Sequence, residues 1–231
     1  MDLSNKETMN KLLLGLLVAM VFIVGFNALR LSALSKLQIG GEGNIGSLTG
    51  AAVSGNSGST SNILPKGIPA IYGKELGISF DDVSAADPEK ADATIRKLGM
   101  LDQTIILNEA QKQRYINALY MINKGISCEY CCGAKAVIFA DGQPACGCAH
   151  SYAMRGLAKY LLTKHASEFT DEQIQEEAGK WKALFFPGQI ELKAQILASN
   201  GIELNFINLA SNKYRGIEQG AGKAGGMVGG C

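Results

Sequence analysis

Five of the six cysteines and one of the two histidines fall between Cys128 and His150. The stretch reads Cys-Glu-Tyr-Cys-Cys-Gly, then a short apolar run, then Pro-Ala-Cys-Gly-Cys-Ala-His. Whatever this chain folds into must bring those two cysteine-bearing ends together or leave them as separate loops. Asp141-Gly142 lies between them and is a strong two-residue reversal signal. With Ala134–Ala140 extended before it and Gln143–Ala145 after it, a small β-hairpin would carry Cys146 and Cys148 back beside Cys128 and Cys131.

Helical patterns flank the hairpin. Asp87-Pro88 is an N-cap followed by proline at the first helical position, with Gly99 expected as the stop. Asn108 caps a run from Glu109 to Lys124 whose apolar residues form one stripe, ended by Gly125. From His150 to about Lys164 an apolar stripe includes Met154, Leu157, Leu161 and Leu162. Thr170 with Gln173 forms a capping box for a helix stopping before Pro187, and residues 188–199 give another, closed by Asn200-Gly201. Leu76–Phe80 reads as a short strand or an extended run. The predicted class is mainly α with a small β-hairpin: one N-terminal transmembrane helix plus a compact Cys-rich α domain.

The anchor is read from the first residues. No charge occurs between Lys11 and Arg30, and as a helix that run spans about 27 Å, enough for a bilayer core. No clean Ala-x-Ala cleavage pattern follows, so a retained signal-anchor is expected rather than a cleaved peptide. The expected organisation is a tail over 1–11, an anchor over 12–33 and a Gly/Ser-rich linker over 34–66. The Cys/His helical domain follows over 67–215, with a flexible Gly-rich tail over 216–231. Lysine and arginine flank the apolar run equally, so orientation rests on the shortness of the N-terminal tail. A short tail stays inside, which places the domain outside a single-pass membrane protein. The bilayer and a metal ion are the expected partners. A net charge of +1 with scattered basic residues gives no footprint for nucleic acid.

Three chemistries fit the cysteines. Cys128-x-x-Cys131 has the spacing of a tight-turn metal knuckle, and Cys146, Cys148 and His150 alternate so that an extended segment points all three to one side. The candidate ligands are Cys128, Cys131, Cys132, Cys146, Cys148 and His150. The preferred tetrahedral set is Cys128, Cys131, Cys148 and His150, holding zinc (Zn2+), with copper(I) (Cu+) as the alternative. Met121 and Met154 are thioethers for a copper site, or core residues. The second chemistry is thiol–disulfide exchange by a membrane-tethered oxidoreductase. Cys146 and Cys148 then stand at the start of a helix whose dipole stabilises a thiolate. The third is structural disulfides, which here would close only short loops. A surface structural or filament subunit built on the N-terminal helix is a further alternative. No P-loop, dinucleotide fingerprint, His-Glu-x-x-His or Gly-x-Ser-x-Gly occurs, so the motifs point away from a hydrolase or nucleotide enzyme.

Pro144-Ala-Cys-Gly-Cys-Ala-His150, together with the anchored architecture, resembles the exported PCYCGC-motif proteins, which are membrane-associated. The likeness covers these few residues. The uninterrupted Pro-Cys-Tyr-Cys-Gly-Cys is not present, and Glu129-Tyr-Cys-Cys-Gly133 stands upstream as a separate piece. The resemblance implies an exported Cys-rich binding domain and no particular activity.

Overall fold

The computed structural model describes residues 63–221 and 225–230, all within the unit Ser54–Cys231. The expected anchor and the linker up to residue 62 lie outside the described residues. Among the described residues, no helix is long and apolar enough to cross a membrane. Seven α-helices are described: α1 (Gly73–Leu76), α2 (Pro88–Thr104), α3 (Glu109–Ile116), α4 (Ala149–Lys164), α5 (Asp171–Phe185), α6 (Pro187–Ser199) and α7 (Phe206–Ala210).

The helix starts follow local capping chemistry. Asp87 accepts from the Lys90 amide at 3.1 Å, with Pro88 in the first position. Asn108 with Gln111, and Thr170 with Gln173, form reciprocal capping boxes. Each such cap contributes about 1 kcal/mol. Two local expectations fail. The segment read as a strand or an extended run at Leu76–Phe80 is instead the end of α1 followed by a 3-10 turn over Phe80–Asp82. Gly99 does not stop α2, which continues to Thr104. Its role is packing: a Cβ there would lie 3.3 Å from the Tyr152 Cβ of α4. Across the same crossing, a Cβ on Gly156 would overlap the Leu98 carbonyl. Two glycines thus let α2 and α4 approach almost backbone to backbone, sealing Ile95, Leu98, Ala153 and Leu157 between them.

The helix expected over Glu109–Lys124 changes character midway. After α3 the chain makes a π turn over Asn117–Met121, then a 3-10 turn over Ile122–Lys124. Gln175 of α5 donates to the carbonyls of Ala118 and Ile122 at 2.9 and 3.0 Å, which satisfies groups the widened turn releases. Gly125 (φ 75) completes the reversal; a Cβ there would stand 2.6 Å from the Leu119 carbonyl oxygen. The sequence places the reversal at Gly125, but not the end of the α-helix at Ile116, eight residues before the expected one.

The chain next reverses at Asp141-Gly142, with Phe139 and Gln143 joined by an amide–carbonyl bond of 2.8 Å. Among the described residues this region forms one isolated antiparallel bridge, Ile138–Pro144, and no strand. Pro144 has no N–H to give, which limits the ladder on its side.

The main core lies between α2, α4 and α5 and contains Trp181, Phe185, Phe186 and Met154. A smaller cluster of Ala183, Ile190, Ala194, Leu197 and Leu209 sits beneath α6 and α7. Within the segment 216–231, expected as a flexible tail, Glu218 and Val228 are buried. The Val228 amide donates to the Phe185 carbonyl at 2.8 Å, which pins residues 225–230 to the end of α5.

Candidate metal centre

Two limbs of chain carry the cysteines, Gly125–Gly133 and Ala145–Cys148. Polar side chains from distant elements hold both. Asn212 donates to the carbonyls of Lys124 (2.9 Å) and Lys135 (2.8 Å) and accepts from the Ser127 hydroxyl at 2.6 Å. Arg215 donates to the carbonyls of Gly133 and Ala134 at 3.0 and 2.8 Å. Arg155, fully buried on α4, donates to the Cys146 carbonyl at 2.7 Å and to the Val137 carbonyl at 3.2 Å. Its charge is met by Asp102 of α2, Nε to Oδ2 at 2.7 Å, and Lys159 completes the group at 2.7 Å.

Glu129 is the strongest anchor of the first limb. It adopts a left-handed backbone (φ 52), unusual for a residue with a side chain. Its carboxylate is 2.9 Å from Lys182 and 3.1 Å from Lys193, and it accepts from the Gly216 amide at 2.7 Å. Burial alone would raise this carboxyl. The two ammonium groups and the amide overcome it and hold the group down at about 2. The left-handed turn at Glu129 lies between Cys128, which is buried, and Cys131, which is half-buried.

Cys128, Cys148 and His150 converge, their ligand atoms all within 4.8 Å of one another. The Cys128 and Cys148 sulfurs are 3.1 Å apart, and the Ser151 hydroxyl lies 3.0 Å from the first and 3.4 Å from the second. Cys128 is 1% exposed and His150 is fully buried, while Cys148 is half-buried. His150 is positioned by aromatic packing on Phe185 and Phe186, with centroids at 4.7 and 5.0 Å. Its Nε2 is 2.8 Å from the Val228 carbonyl. A carbonyl only accepts, so Nε2 carries the proton and Nδ1 is the nitrogen with a lone pair in the neutral ring. This is the usual second partner of a metal-ligating imidazole.

Cys148 is the N-cap of α4 and accepts from the Ser151 amide at 3.4 Å. The hydrogen bond from Cys128 is the main reason its thiol is held far below the ordinary value, and bonds from Ser151 add to it against burial. The same hydrogen bond, with burial, pushes the Cys128 thiol up. Of the pair, Cys148 is therefore the sulfur that ionises more readily and Cys128 the one that resists it.

The remaining predicted ligands lie elsewhere. Cys132 and Cys146 form a disulfide. Cys131, part of the preferred tetrahedral set, is disulfide-bonded and belongs to neither cluster of candidate ligands among the described residues. The second cluster is Cys132, Cys146 and Cys148, again within 4.8 Å, so Cys148 belongs to both. Met121 is exposed and Met154 is fully buried in the core. His165 lies at the far end of α4, between Glu75 (3.0 Å) and Glu168 (2.6 Å).

Sequence reasoning missed Arg155, Lys182, Lys193, Asn212 and Val228. A signal existed for two of them. Arg155 is on the stripe Ser151-Arg155-Ala158-Leu162, and Lys182 is on Ile174-Ala178-Trp181-Phe185, where a cation at a core position needs a buried counter-charge. No protein-family model matches the chain, and neither a curated protein nor a solved structure matches it.

Proposed function

We propose that this is a membrane-anchored protein whose domain, outside the membrane, binds one zinc ion through Cys128, Cys148 and His150. The observation that carries the reading is the convergence of these three ligands, two of them sealed from solvent, on one point. Two thiolates and an imidazole give a three-ligand set with a fourth position open beside the Ser151 hydroxyl. Zinc is favoured over copper(I) because two thiolates with one imidazole and a fourth position left over are an established zinc donor set. A tetrahedral ion spaces two thiolates by about 3.8 Å, so the 3.1 Å pair opens slightly on binding. The Cys132–Cys146 disulfide supports an oxidising compartment, in keeping with a domain outside the cytoplasm.

A specific observation favours a second reading, thiol–disulfide oxidoreduction. A cysteine at the N-cap of α4, Cys148, stands beside a disulfide. Elemental analysis of the full chain purified in detergent separates the two. Zinc near one per chain, lost in Cys148→Ser and in His150→Ala, supports the metal reading. A chain free of metal that reduces a model disulfide through Cys148 supports the other.

A further inference from the structure

The two sulfur clusters share Cys148, and this sharing carries an inference that rests on the zinc reading. We infer that zinc acts as a latch on an internal disulfide: while the ion is bound the disulfide stays at Cys132–Cys146, and when it leaves the disulfide moves to Cys128–Cys148 and closes the site.

The geometry is of three kinds. The Cys148 sulfur is within 4.8 Å of both disulfide sulfurs and 3.1 Å from Cys128, so attacking, central and resolving sulfurs are already gathered. The exposures form a gradient, with Cys132 exposed, Cys146 8% exposed and Cys128 1% exposed. The scaffold holds the participants at their backbones: Arg155 at the Cys146 carbonyl, and the ion-paired Glu129 next to Cys128. Nothing in these contacts fixes the sulfur atoms themselves, so exchange can proceed without unfolding the limbs.

The step balances internally. With zinc bound, the Cys148 lone pair is engaged by the ion and cannot attack. Once zinc leaves, Cys148 thiolate attacks Cys132; the Cys148–Cys132 bond forms, the Cys132–Cys146 bond breaks, and Cys146 leaves as thiolate. Cys128 gives up its proton as it attacks Cys148, and the Cys146 thiolate takes up one in its place. The Cys128–Cys148 bond forms and Cys132 leaves as thiolate, to be protonated by water. One disulfide and two reduced sulfurs enter, and one disulfide and two reduced sulfurs result. No external oxidant is consumed and the mass of the chain does not change. The product has lost both thiolate ligands and cannot rebind zinc. Cys132, exposed and now reduced, is the sulfur through which an outside thiol–disulfide partner would meet the pair.

The test uses the full chain in detergent, purified without reductant, with its zinc content measured at the start. One portion keeps its zinc and another is treated with a chelator. Both are quenched in acid, alkylated with N-ethylmaleimide and mapped by mass spectrometry. The expected result is a Cys132–Cys146 linkage with zinc, replaced after chelation by a Cys128–Cys148 linkage with label on Cys132 and Cys146. In Cys128→Ala, which lacks both a zinc ligand and the resolving sulfur, a linkage between Cys148 and the former pair should be trapped without chelation. A zinc-loaded chain that loses its ion while the Cys132–Cys146 linkage persists overturns the latch and leaves the zinc reading standing. A chain with no zinc at the outset overturns the zinc reading and the latch with it.

Discussion

Lys182 and Glu129 meet at 2.9 Å with side chains 0% and 2% exposed, although 53 residues separate them. At Glu129 pairing wins over burial, and the carboxyl is held at about 2. At Lys182 burial wins, and the ammonium is held below its ordinary value despite the nearby carboxylate. Removing one partner strands charge in the interior. Glu129→Gln leaves Lys182 and Lys193 uncompensated and should cost about 3 to 5 kcal/mol in urea unfolding at neutral pH.

The same pair predicts acid sensitivity. The folded carboxyl titrates at about 2, below its unfolded value, so its contribution is complete above roughly pH 4.3 and is lost as pH falls towards 2. The contribution amounts to roughly 3 kcal/mol. Urea midpoints between pH 6 and pH 3 should fall in the parent chain more steeply than in Glu129→Gln. Parallel slopes would remove Glu129 from the account.

A thiolate at Cys148 should reveal itself by a flat reactivity profile. An ordinary thiol loses about 100-fold in alkylation rate from pH 8 to pH 6. In chain stripped of metal and held before any disulfide migration, Cys148 should react with iodoacetamide at nearly constant rate across that range. Cys128→Ala removes the main hydrogen bond holding the thiolate, so the rate at pH 6 should drop relative to pH 8. A steep profile in the parent chain would contradict the assigned proton position.

Arg155 and Asp102 offer a double-mutant test of how the second limb is held. Asp102→Asn leaves a fully buried guanidinium with weakened compensation and should cost about 3 to 5 kcal/mol. Arg155→Met alone should cost a similar amount and loosen the Cys146 carbonyl. Combining Arg155→Met with Asp102→Leu should recover much of the loss in stability while zinc affinity stays reduced. Recovery of both would mean that Arg155 serves the core and not the limb.

Gly156→Ala tests the helix crossing. The added methyl overlaps the Leu98 carbonyl, a backbone atom that cannot swing aside, so a loss of at least about 1 to 3 kcal/mol is expected. Gly99→Ala, which meets the Tyr152 side chain at 3.3 Å, should cost less.

What the sequence made legible was local. Thr170 with Gln173 and Asp87 with Pro88 announce helix starts because the partners lie within three residues of one another. Cys128, Cys148 and His150 were visible as candidate ligands by residue type and spacing. Which cysteines stand together was not visible, because the side chains that hold the limbs come from beyond the motif: Lys182 and Lys193 at Glu129, and Arg155 at the Cys146 carbonyl. Gly99 was misread because a glycine that ends a helix and one that admits a neighbouring helix look alike until the neighbour is known. Asn212 and Val228 gave no signal, since each acts on chain far from it in sequence.

Asn212 closes the first cysteine limb with one side chain, bonding Lys124 before it, Ser127 within it and Lys135 after it. The cysteine motif is therefore not portable. A synthetic peptide of residues 125–150, or a graft of that segment into another scaffold, would keep the five clustered cysteines and lose the asparagine that holds the loop carrying three of them. A zinc knuckle can be transplanted between hosts; this centre travels only with the whole domain.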